Sequence, residues 1–202
     1  VITNEDGWVK RGYSSNYCRP VFAIMDPELT MTLPSYQTAC GCVDILMHTM
    51  ERYFNHSGSM EITDGIAEAL MQTVIRNAPI VMLHPDDYNA RAEIMWAGSL
   101  SHNGLTDCGC DHGDWATHKM EHELGGLFDV AHGAGLAAIW GSWARYVCDA
   151  DYARFARFAT KVLNVAPQDT DQETALAGIA AMEQFYRSIQ MPTSLRELGV
   201  SP

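Results

Sequence analysis

Residues 35–54 set the strongest limit on the fold. The stretch holds no proline and a single glycine, Gly41, and its apolar residues Ala39, Val43, Leu46, Met47, Met50 and Phe54 recur at helical intervals. A long helix with such a face needs partners to bury it against. The same period runs through residues 61–77, 85–105, 114–124, 133–147, 152–163 and 171–189, separated by short polar breaks such as Asn55-His-Ser-Gly58 and His84-Pro85-Asp86. The sequence therefore predicts an all-α helical bundle over residues 27–202. In front of it, residues 1–26 read as a small β remnant: one strand at Val1-Ile-Thr3, a turn at Asn4-Glu-Asp-Gly7, a Gly12-Tyr-Ser-Ser-Asn16 loop and a second strand at Val21-Phe-Ala-Ile-Met25.

Composition narrows the function classes. The 202 residues are 47% hydrophobic and 19% charged, which is too apolar for disorder and enough for one substantial core. A net charge of -12 with 13 Lys and Arg makes nucleic acid and anionic membrane poor partners, since the dominant electrostatic term would be repulsive. No apolar run approaches the roughly 18 to 20 residues that span a bilayer. The first residues lack an initiating Met and the layout of a signal peptide, and read as a cut end. The six cysteines, including Cys40-Gly-Cys42 and Cys108-Gly-Cys110, read as reduced thiols of a cytoplasmic protein.

The chemistry-bearing residues gather in two segments. Asp44 and His48 stand four apart, one turn along the same helix face, amid Val43, Leu46 and Met47; an enclosed carboxylate there requires a cation or hydrogen bonds. His118 and His122 form a second such pair, and His132 follows a break expected at Gly125-Gly126 and Asp129. An Asp with two or three His suits a divalent ion such as zinc or iron without deciding between them. Buried or surface polar pairs in a non-catalytic helical domain are the alternative without a metal. A third reading takes His118-Lys-Met-Glu-His122 as the H-x-x-E-H of a zinc metallopeptidase, with Glu121 as general base. That reading needs a downstream acidic ligand, for which Glu173, Glu183 and Glu197 are available, and it leaves Asp44, His48 and His132 unexplained.

Four segments together carry a resemblance: Asp26-Pro-Glu-Leu-Thr-Met-Thr-Leu-Pro34, Asp44-x3-His48, Asp114-Trp-Ala-Thr-His-Lys-Met-Glu-His122 and His132-Gly-Ala-Gly-Leu136. In order and spacing they resemble the C-terminal, dehydroquinate synthase-like helical domain of the iron-containing (group III) alcohol dehydrogenases. Through Asp114-Trp115 and Pro85-Asp-Asp-Tyr-x-Ala-Arg91 they are most similar to the butanol dehydrogenase and NADPH-dependent aldehyde reductase branch. The resemblance implies that Asp44, His48, His118 and His132 ligate one Fe2+ or Zn2+, with His122 lining the substrate pocket as a proton relay. It implies hydride transfer between NADP or NAD and a primary alcohol or aldehyde. Lys10, Leu29 and Thr32 match positions that touch cofactor in that family. Residues 1–26 would be the remnant of its nucleotide-binding domain, whose glycine-rich loop is absent here, and the sequence ends short of the family's last helices. By itself the chain would bind metal yet lack most of the cofactor site. A homodimer is the candidate assembly, with the oligomeric state left open.

Other residues are given plainer expectations. Trp96, Trp140 and Trp143 are assigned to the core, and Trp115 is set apart because it precedes His118 by three residues. Glu51, one turn after His48, either holds a ligand imidazole or pairs with Arg52. Glu28, Glu61, Glu68 and Glu93 read as solvated helix faces, and His56 and His84 as solvated. His102-Asn103 reads as pocket lining or a helix end. Cys108-Gly-Cys110-Asp-His112 reads as a loop, its spacing being wrong for zinc.

Overall fold

The computed structural model describes residues 1–54, 60–110 and 113–200. A two-stranded antiparallel hairpin, β1 (Ile2–Asn4) and β2 (Val9–Arg11), precedes eight helices: α1 (Ser35–Tyr53), α2 (Glu61–Leu83), α3 (Tyr88–His102), α4 (Ala116–Phe128), α5 (His132–Val147), α6 (Tyr152–Val162), α7 (Asp171–Ser188) and the single turn α8 (Leu195–Leu198). Short 3-10 turns cover Pro27–Thr30 and Leu105–Asp107. The fold is all-α, as the periodicity predicts.

The chain's own chemistry explains most helix boundaries. Asp87 caps α3 by accepting the amide of Ala90 at 2.9 Å, Asp151 caps α6 at Arg154, and Thr170 with Glu173 forms a capping box at α7. The core runs along α1, where Leu46, Met47 and Met50 are buried, and continues through Trp140, Ile179, Met182 and Tyr186 of α5 and α7. Each such side chain contributes about 1.5–3 kcal/mol of burial. Helices α6 and α7 approach closely because residue 178 is glycine: a Cβ there would stand 2.4 Å from that of Ala159.

Several sequence expectations need correction. The second strand is Val9–Arg11, whereas residues 21–25 are outside any strand or helix and have no partner strand among the described residues. Val21, Phe22 and Ile24 are at least 77% exposed, so that apolar run is left uncovered by the described residues. The break expected at Gly125-Gly126 and Asp129 falls at Asp129 alone, the left-handed C-cap of α4; both glycines are helical and buried because they face β2. A Cβ on Gly126 would meet the Trp8 carbonyl oxygen at 2.9 Å, and one on Gly125 the Lys10 Nζ at 2.6 Å. Trp96 is not core but exposed, lining an apolar groove with Ile66, Leu70 and Leu100. Glu68 is not solvated: it accepts the Tyr53 hydroxyl at 2.8 Å and pairs with Arg157 at 2.6 Å. Glu28, Glu61, Glu93 and His84 are exposed, as expected. His56 and His112 lie outside the described residues.

Candidate metal centre

Helix α1 supplies Asp44, His48, Glu51 and Arg52 from one face, following the helical spacing. Arg52 ties that face to its neighbours, donating to the carbonyl oxygens of His48 at 2.8 Å and Ser101 at 2.7 Å while its guanidinium lies over the Trp115 ring. Trp115 adopts a left-handed conformation at the start of α4, with φ 60, which sets its ring edge-on to His48 and His118. At the start of α5 the sequence His132-Gly-Ala-Gly permits close approach. A Cβ on Gly133 would lie 2.2 Å from the Cys40 carbonyl oxygen of α1, and one on Gly135 would lie 2.8 Å from Glu121 Cγ of α4. These glycines let α5 carry His132 up to Asp44.

The imidazoles converge on Asp44. Its Oδ1 stands 3.6 Å from His48 Nε2, 3.5 Å from His118 Nε2 and 3.4 Å from His132 Nε2. Those separations are too long for hydrogen bonds. They agree with the ~3.3–3.6 Å that separates ligands held ~2.0–2.2 Å from a tetrahedral ion. Asp44 Oδ1 and His118 Nε2 are both buried without a hydrogen-bond partner, an arrangement that costs free energy unless a cation satisfies them. Donor atoms of Asp44, His48 and His118 lie within 4.8 Å of one another, and those of Glu121, His122 and His132 form a second such group. His132 therefore reaches the first group through Asp44 and the second through Glu121.

Two buried carboxylates hold the outer ring nitrogens. Glu51 Oε1 is 3.2 Å from His118 Nδ1 and also accepts the Thr117 hydroxyl; Glu121 Oε2 is hydrogen-bonded to His132 Nδ1. An ionised carboxylate only accepts, so each imidazole keeps a proton on Nδ1, and in the neutral ring the lone pair is on Nε2, toward Asp44. Of the two expectations for Glu51, the imidazole-holding one is observed. Glu121 corrects the sequence reading more sharply. As the middle acid of H-x-x-E-H it has only a peptidase role in that reading, and without that role none, yet it is 0% exposed and its carboxylate is 3.6 Å from Lys10 Nζ. Small residues at Gly125 and Gly135 are the available signal, because they make room for this side chain.

Burial works to raise the Asp44 carboxyl, but the imidazoles of His102, His118 and His132 and the charge of His48 hold it far below the usual range. Desolvation pushes His48 down to about 3. Desolvation also opposes charge on His118 and His132, but the carboxylates prevail: His118 is raised by Asp44 and Glu51, and His132 is pushed up to about 9 by Asp44 and Glu121. The site is thus rich in negative charge and suited to a divalent cation.

The remaining candidates fall into place around this centre. His122 is part-buried, its ring 5.6 Å from that of His132, outside the group around Asp44. Leu29 and Thr32 are exposed, and Lys10 meets Glu121. The acids that a peptidase would draw on are engaged elsewhere. Glu173 serves the capping box, Glu183 pairs with Arg145 at 2.6 Å, and Glu197 accepts from Thr193. His102, expected as pocket lining or a helix end, places its Nε2 3.6 Å from Asp44 Oδ2, with its ring 3.8 Å from that of His48.

With this geometry in view, comparison with known proteins is decisive. Residues 38–202 match the Fe-containing alcohol dehydrogenase family, C-terminal. The chain belongs to the iron-containing alcohol dehydrogenase family. It is 38% identical over 201 residues to NADH-dependent butanol dehydrogenase A of Clostridium acetobutylicum, covering 99% of this chain and 51% of that protein. Against the NADPH-dependent aldehyde reductase of Escherichia coli it is 34% identical, with 99% and 51% covered. The crystal structure of NADH-dependent butanol dehydrogenase A from Thermotoga maritima superposes with a TM-score of 0.95 at 38% identity, covering 99% of this chain and 50% of that one. The chain thus spans about half the length of these iron-containing alcohol dehydrogenase relatives. Among the described residues no helix is long and apolar enough to cross a membrane.

Proposed function

We propose that this chain is the metal-holding, substrate-facing half of an NAD(P)H-dependent alcohol dehydrogenase or aldehyde reductase. The observation that carries the reading is the buried, unpartnered Asp44 Oδ1 with three imidazole Nε2 atoms at 3.4–3.6 Å. Asp44, His48, His118 and His132 would hold one divalent ion, Fe2+ or Zn2+. When bound, that ion supplies a Lewis acid for the oxygen of a primary alcohol or aldehyde, whose carbon exchanges hydride with a nicotinamide.

The protein's own groups do the positioning. Glu51 and Glu121 fix the tautomers of His118 and His132, so that once each ring gives up its second proton the nitrogen facing Asp44 is a lone-pair donor. Trp115 and Arg52 wall the α1 face of the site and limit water there. His122, whose pKa burial lowers, stays neutral near neutral pH and suits proton relay beside His132.

Residues 1–26 are assigned to the nucleotide-binding half and residues 27–202 to the metal-binding half. Support comes from the exposed apolar run Val21, Phe22 and Ile24, which lacks a partner among the described residues. Lys10, Leu29 and Thr32 are assigned to the cofactor side on the same reading. Six free cysteines fit a reducing, cytoplasmic setting.

Metal analysis of the full-length protein tests the core of the reading. Near-stoichiometric metal, lost in both Asp44→Ala and His132→Ala, together with NAD(P)H oxidation by a short-chain aldehyde, is the expected result. Retention of metal by both variants overturns it.

A further inference from the structure

Between α1, α3 and the turn at Pro27–Thr30 lies a cavity of about 170 Å³ whose walls include Leu33, Gly41, Ile45, Ile94 and Met95. Of the described residues that line it, Arg91 alone is charged. Arg91 is 4% exposed, so its head group does not reach bulk water in the manner of a surface arginine. Its Nε donates to the Pro85 carbonyl oxygen at 2.8 Å and its Nη1 to the Thr38 hydroxyl at 3.1 Å. Both acceptors are neutral, and Nη2 has no partner among the described residues. The acids nearest in sequence are placed elsewhere: Asp87 caps α3 at Ala90, and Asp86 is exposed. A buried cation without a counter-charge is costly to keep.

The space beside the guanidinium is also left open by the packing. Gly41 stands inside α1, where alanine would favour the helix by about 1 kcal/mol. A Cβ at Gly41 would meet no atom within 4 Å, so no close approach of a neighbour explains the glycine. An apolar chamber with room to spare thus ends on a guanidinium that lacks an anion.

We propose that this cavity binds a small monocarboxylate with a hydrocarbon tail. The carboxylate accepts from the planar fork of Arg91, and the tail lies against Leu33, Ile45, Ile94 and Met95. Since a cavity of about 150 Å³ holds benzene, the space here suits a tail of roughly four to six carbons. Phosphate and dicarboxylates fit poorly, because their further charge would face the same apolar walls. None of the residues assigned to the metal lines the cavity, and the site stands independently of the metal reading.

Isothermal titration of the full-length protein, stripped of metal so that no ion can hold a carboxylate, provides the test. Hexanoate should bind with one molecule per chain. Hexan-1-ol, which keeps the tail without the charge, should bind at least tenfold more weakly, and inorganic phosphate should not compete. Arg91→Met should weaken hexanoate at least tenfold by removing the charge. Gly41→Leu should do the same by filling the cavity while Arg91 stays in place. Because residue 41 is an exposed helical position with room for a side chain, Gly41→Leu decides the matter even if Arg91→Met fails to fold. Absence of hexanoate binding in the wild type, equal affinity for hexan-1-ol, or undiminished affinity in either folded variant overturns the proposal.

Discussion

The wholly buried Glu121 carboxylate is hydrogen-bonded to the Nδ1 of His132, one helix away. The bond fixes which nitrogen of His132 faces Asp44, and it sets a carboxylate behind that imidazole. Glu121→Gln keeps the shape but weakens that acceptor and leaves Lys10 without its partner at 3.6 Å. Metal affinity should drop about 10–100-fold, as for other partners of ligand histidines. Competition with a chromophoric chelator measures it, with circular dichroism confirming unchanged helix content.

Gly133→Ala should be far more damaging than its one added carbon suggests. The new Cβ would sit 2.2 Å from the backbone oxygen of Cys40, which cannot rotate away. The cost is about 3 kcal/mol, at the top of the range for overpacked cores. Chemical denaturation should show that loss, and metal content should fall as well, because α5 must shift and take His132 with it.

Arg154 closes the far side of the bundle. It pairs with both oxygens of Asp64 at 2.6 and 2.7 Å, donates to the Tyr53 carbonyl oxygen at 2.7 Å and lies 3.6 Å over the Tyr53 ring. Removing one partner of so enclosed a pair costs about 3–5 kcal/mol. Arg157, 3.7 Å from Asp64, should hold Arg154→Ala to the lower end of that range in urea unfolding.

The metal-free protein should respond to pH through His132. Its pKa is raised to about 9 from 6.5, so its pairing with Asp44 and Glu121 stabilises the fold fully below pH 6.5 and is lost as pH rises through about 9. His118, also raised, acts in the same direction. His48, lowered to about 3, is buried neutral and costs stability as pH falls below 6.5. The cluster's contribution should therefore peak near pH 6.5. In chelator, the gap in melting temperature between wild type and His132→Gln should be at its full size at and below pH 6.5 and close as pH rises through about 9. Metal affinity should run the other way, climbing toward pH 9 as protons leave His132.

How far the sequence can be read depends on whether a signal is local. Helical spacing from Ala39 to Phe54 and the i,i+4 pair Asp44 and His48 follow from backbone geometry alone, and both are where the spacing puts them. Gly125 and Gly126 mislead because a glycine pair looks like a break, whereas here it is a contact surface for β2, a property of a segment over a hundred residues away in sequence. Val21 to Met25 mislead for the opposite reason: β-propensity is present but no pairing strand is, among the described residues. Residue type alone says little about Glu68 and Glu121; only tertiary partners, Tyr53 and Arg157 for one and His132 for the other, reveal why a carboxylate tolerates burial. His102 belongs with them, since nothing in Ser101-His102-Asn103 signals that Asp44 is opposite.

The apolar run at Val21, Phe22 and Ile24 has a practical consequence for anyone handling this polypeptide by itself. A segment with no pairing strand among the described residues, carrying bare aliphatic and aromatic side chains, is a template for self-association. Prepared alone, the chain should form soluble aggregates that grow with concentration and shrink when residues 21–25 are made polar. Its colloidal behaviour, more than its melting temperature, will decide whether the candidate metal centre can be studied in this chain by itself.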